Sequence, residues 1–124
     1  MAQQNKKPDF IVALDLLSGQ IMKYRNMKVL EGNELNVILQ QITGTLFYLE
    51  KERAKYHDLF QVLMHRLINE NQLAVNRAEN QAHIEIPEMY MLRRVMDSGY
   101  EVVNAIRSNI SWLKNEKEHS KQQQ

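Results

Sequence analysis

The stretch MYMLRRVMDSGYEVVNAIRSNISWL, Met89 to Leu113, decides the fold. Within it Met89, Leu92, Met96, Gly99, Val103, Ile106, Ile110 and Leu113 alternate at spacings of three and four, which lays one apolar seam along a helix. Val95 and Val102 stand beside the seam and widen it beyond what one partner helix covers, so more than one neighbour is expected. Gly99, inside the seam, leaves room for a backbone or a large side chain to approach. Pro87 pushes Ile86 out of helical geometry, and His83-Ile84-Glu85-Ile86 alternates briefly, so residues 79–86 are read as a turn. A helix over 87–117 follows, and the charged, glutamine-rich residues 118–124 are expected to form a mobile tail.

Upstream of that turn the same kind of stripe recurs as Leu35, Ile38, Ile42, Leu46, Leu49, Tyr56, Phe60, Leu63 and Leu67. It runs straight through Gly44 and thins to Ala74 and Ala78, predicting one continuous helix over 33–78. Arg53 stands where an apolar residue was due. Glu31-Gly32-Asn33-Glu34 combines a helix-ending glycine with an asparagine able to cap the next helix. Before it, Phe10, Leu14, Leu17, Ile21 and Tyr24 mark a first helix over 9–28, opened by Pro8 and Asp9. The expected architecture is all-α, one domain over 1–124: a long antiparallel, coiled-coil-like helical hairpin with an additional N-terminal helix.

The 124 residues contain no cysteine, which excludes disulfides, thiolate catalysis and cysteine-ligated metals. Sixteen basic residues against fifteen acidic give a net charge of +1, so no global field draws the chain to nucleic acid or an anionic membrane. The apolar stretch Phe10 to Leu17 is broken by Asp15 and is too short to span a bilayer, so a soluble, cytoplasmic protein is expected. His57, His65, His83 and His119 show no metal-binding spacing, and no nucleophile, phosphate loop or acid–base grouping stands out. No enzyme activity, cofactor or metal is expected.

One constellation rises above this background. Arg93, Tyr100, Arg107 and Lys114 are each seven apart and form a basic row with one aromatic beside the seam. Such a row can neutralise phosphates and stack a base, as single-stranded nucleic acid requires. The competing reading pairs these cations with Glu50, Glu52 and Asp58 of the long helix. A second basic group, Lys51, Arg53 and Lys55, surrounds the seam break near Tyr48 and Tyr56. Trp112 lies off the seam, suited to packing between subunits or, second, to base stacking.

Ala105-Ile-Arg107-Ser-Asn-Ile-Ser-Trp112-Leu-Lys114-Asn-Glu116, preceded by Leu49-Glu-Lys-Glu-Arg-Ala-Lys-Tyr56, resembles the closing and long helices of phage UvsY-like recombination mediators. The resemblance covers about 46–117. It implies a non-enzymatic factor in DNA recombination and repair that binds single-stranded DNA, assembles into a homo-oligomer and helps a RecA-like recombinase displace single-strand-binding protein. A phage-encoded protein of this kind would work in the host cytoplasm. The matching positions carry a DNA-binding role to Lys51, Arg53, Lys55, Arg107 and Lys114, whereas Arg93, Arg94 and Tyr100 join them by helix spacing alone. The alternatives are a phage assembly protein, scaffold or chaperone, that uses the same seams only for helix pairing, and a small helical inhibitor of a host protein.

Overall fold

A computed structural model describes residues 9–122. It has four helices and no strand among those residues: α1 (Asp9–Arg25), α2 (Gly32–Asn69), α3 (Val75–Glu85) and α4 (Pro87–Gln122). α2 packs most extensively on α4, running antiparallel to it, and α1 lies along the furrow on one side of that pair, touching both. α3 rests against the far end of α2 and the start of α4. The long helical hairpin with its N-terminal helix is therefore present.

Each helix buries the residues its period marks. Leu14, Leu17 and Ile21 of α1, Leu35, Ile38, Ile42 and Leu49 of α2, and Leu92, Met96 and Ile106 of α4 form the main core. Val102 is buried and Val95 packs against the same cluster, so the wide apolar face of α4 is shared between α1 and α2 of one chain. Gly99 sits where leucines from both neighbours converge. A methyl group there would lie 3.1 Å from Leu46 Cδ2 and 3.3 Å from Leu17 Cδ2. A second, smaller cluster gathers Phe60, Leu63 and Leu67 of α2 under Ala78 and Ala82 of α3, with half-buried Met89 beside them.

The helix boundaries correct five expectations. α1 ends at Arg25 rather than near residue 28. The start of α2 is capped by Glu31, not Asn33: its Oε1 accepts from the Asn33 amide at 3.0 Å and its Oε2 from the Glu34 amide at 2.9 Å. These bonds hold the Glu31 carboxyl below its ordinary pKa, with the Asn33 amide contributing most.

α2 does not run to residue 78 but stops at Asn69. The chain turns there because the Asn71 amide donates to the Arg66 carbonyl, the Leu73 amide donates to the Leu67 carbonyl, and Gln72 takes a left-handed conformation at φ 54°. Residues 79–86 are not the hairpin turn; all but Ile86 belong to α3, whose two buried alanines let it lie close on α2. The expected break ahead of Pro87 shrinks to Ile86 alone, at φ −125° and ψ 72°, with Pro87 as the first residue of α4. At the other end, α4 continues through residues expected to form a mobile tail and stays helical to Gln122, as its Lys, Glu and Gln content favours. Residues 123–124 lie outside the described part.

Candidate nucleic-acid interface

With α1 on one side of the α2/α4 pair, the opposite furrow is lined by these two helices alone, in two adjoining parts. In one, Glu50, Arg53, Ala54, His57 and Asp58 of α2 face Met89 and Arg93 of α4. In the other, Thr43, Leu46, Phe47 and Glu50 face Tyr100, Val103, Asn104 and Arg107. The helical repeat produces this arrangement: positions 47, 50, 54 and 57 share one face of α2, and 93, 100, 104 and 107 share one face of α4.

Glu50 stands in both parts. Its Oε1 accepts a 2.5 Å hydrogen bond from the Tyr100 hydroxyl across the helix pair, and its Oε2 lies 3.1 Å from an Arg53 guanidinium nitrogen one turn along α2. Burial, followed by the bond to Glu50, raises the Tyr100 pKa above its ordinary value. The ring of Phe47 is 69% exposed, and the Lys51 ammonium sits 5.3 Å from its centroid, a cation–π contact.

Five of the seven expected site residues thus gather on the open side: Arg53, Arg93, Tyr100 and Arg107 line the furrow, and Lys51 reaches over Phe47 at its edge. Two do not. Lys55 faces a separate cleft with Asp9, Glu52, Tyr56 and Glu88 where α1, α2 and α4 begin or meet, and it pairs with Glu52 at 3.3 Å. Lys114 is exposed two turns beyond Arg107 and lines neither part of the furrow. Arg94 turns toward Tyr90 and Asp97 in a shallow cleft that Arg93 also borders.

The pairing of the basic row with α2 carboxylates is realised only in part. Glu50 takes Tyr100 from that row and Arg53 from its own helix, and Glu52 takes Lys55. Among the described residues Arg93, Arg107 and Lys114 have no ion pair, and Asp58 lines the furrow without one. Arg53 interrupts the α2 seam between Leu49, the last fully buried α2 residue of the first core, and Phe60, the first of the second, while half-buried Tyr56 still packs on the first. Its guanidinium reaches the open furrow there instead of entering either core.

Sequence reasoning missed Phe47. Its signal was an aromatic one position off the Leu46–Leu49 seam, four residues ahead of Lys51, which is where an exposed ring flanked by a cation would stand. His57, assigned no role from the sequence, also borders the furrow. No group of three or more His, Asp or Glu among the described residues is placed to hold a metal, and no helix among them is long and apolar enough to cross a membrane. Family models, curated proteins and solved structures give no match to this chain.

Proposed function

We propose that the chain is a non-enzymatic accessory protein that binds single-stranded DNA along the open α2/α4 furrow. In the role its sequence resemblance implies, it helps load a RecA-like recombinase onto DNA held by single-strand-binding protein. The observation that carries the binding reading is the exposed Phe47 ring beside Lys51, bordering the same furrow as Tyr100 and Arg107. Bases have π-faces that stack on aromatic rings whatever their sequence, and regularly spaced phosphates reward cations placed alongside. Arg53 and Arg93 extend that cationic track along the furrow.

With a net charge of only +1, one furrow binds weakly, and affinity is multiplied when several copies assemble and present their furrows to one strand. Exposed Leu59 and Val62 of α2, and Val12 and Leu16 of α1, supply apolar surface for such assembly. The site of action in this reading is the cytoplasm, that of the host for a phage protein.

The test is fluorescence anisotropy of labelled oligo-dT at low and moderate salt with Phe47→Ala and Arg107→Glu variants. Loss of one stacking ring is worth about 1–3 kcal/mol, so Phe47→Ala weakens binding roughly five- to hundredfold. Arg107→Glu weakens it further at low salt and makes the salt slope shallower by about one. No binding by a folded wild-type protein at low salt contradicts the reading. The same exposed leucines and valines favour, as the second reading, an assembly protein whose helices only pair with other helices; it shows a multi-subunit mass and no oligonucleotide binding.

A further inference from the structure

Glu50 is the residue shared by both parts of the furrow, so a strand that stacks a base near Phe47 and sets a phosphate near Arg53 and Arg93 passes over its carboxylate. Both oxygens of that carboxylate are already engaged, one by the Tyr100 hydroxyl and the other by Arg53. A phosphodiester entering the furrow competes with Glu50 for Arg53. If it succeeds, it leaves the carboxylate without its cation and beside a second anion, a repulsive arrangement.

We infer that Glu50 is an internal competitor of the nucleic-acid phosphate: it occupies Arg53 and Tyr100 in the free protein and sets the affinity of the furrow below what its cations alone would give. This rests on the single-strand reading. The consequence is weak binding by one copy, released only where neighbouring furrows act on the same strand. Asp58 provides an internal contrast, because it borders only the Arg53 part and forms no ion pair among the described residues.

The experiment compares wild type, Glu50→Gln, Asp58→Asn and the double variant Glu50→Gln/Arg53→Gln by oligo-dT anisotropy across a salt series, with circular dichroism melts as a check on folding. Glutamine keeps an acceptor for the Tyr100 hydroxyl and removes only the charge. The expected result is binding by Glu50→Gln about threefold to tenfold tighter than wild type, with a salt slope steeper by about one because Arg53 is now free for phosphate. Asp58→Asn gives a smaller gain, and the double variant loses the added slope.

Equal gains from Glu50→Gln and Asp58→Asn overturn the inference, because they report a general charge effect. So does an unchanged or weaker Glu50→Gln that melts like wild type while wild type binds, and that outcome leaves the single-strand reading intact. Failure of both wild type and Glu50→Gln to bind removes the reading and the inference together.

Discussion

Gly44 and Gly99 both lie inside long helices, yet a methyl group added to them meets opposite surroundings. At Gly44 nothing lies within 4 Å, so Gly44→Ala gains the usual helix preference and stabilises the fold by about 1 kcal/mol in urea unfolding. At Gly99 the Leu46 and Leu17 methyls are already within 3.1–3.4 Å of the added carbon, and the larger, branched Gly99→Val destabilises by about 1–3 kcal/mol. Gln72 holds its left-handed turn without the freedom of glycine, so Gln72→Gly raises stability by about 1 kcal/mol. Glu31 carries a pH signature. Its carboxyl is held below the ordinary value when folded, so its stabilising contribution is present above about pH 4.5 and fades as pH falls and the folded carboxyl protonates. Urea midpoints measured from pH 6 to 3 therefore fall more for wild type than for Glu31→Gln. At this scale the sequence was most legible where a side chain sits in an apolar period: Leu92, Met96 and Ile106 are fully buried as their spacing requires. It was least legible where a polar residue does unusual work, as at Gln72 and at the cap Glu31, because each role depends on backbone amides that composition does not display.

Among the elements, α1, α2 and α4 follow from periodicity, whereas α3 was hidden. Ala78 registered only as the thinning end of the long-helix stripe and Ala82 fell in the expected turn, yet both are completely buried as the packing face of α3. The turn that separates α3 from α2 contains neither glycine nor proline. It is made by the Asn71 and Leu73 amides reaching back to carbonyls of α2, and Leu73 packs against the second cluster beyond it. Because that cluster is distinct from the main core, the end of α2 and α3 form a unit able to open by itself. Ala82→Leu forces extra volume under Phe60, Leu63 and Leu67 and destabilises by about 1–3 kcal/mol. Amide hydrogen exchange locates the effect: amides of α3 and of α2 beyond Phe60 lose protection, while those around Ile42 and Ile106 keep it. Loss of protection throughout the bundle would show one cooperative core instead of two.

Over the whole molecule, α1 covers one side of the α2/α4 pair and leaves the other open, and Arg93 and Arg107, which have no ion pair among the described residues, line the open side. Arg93 and Arg107 were legible as part of a seven-residue row beside the α4 seam, and Glu50 and Asp58 as α2 carboxylates available to face it, but Phe47 was not, since only the fold brings its ring across from them. Lys114 belonged to the same row and Lys55 to the second basic group around the α2 seam break, yet both fall elsewhere, because the pattern along one helix does not specify what the neighbouring helix presents. The central claim, that this open furrow receives a single strand, is tested most directly by titrating isotope-labelled protein with oligo-dT and following backbone amide resonances. The account predicts shifts concentrated at Phe47, Glu50, Arg53, Arg93, Tyr100 and Arg107, with α1 and the surroundings of Lys55 unmoved. Shifts confined to α1 or to the Lys55 cleft, or none at saturating oligonucleotide, would contradict it.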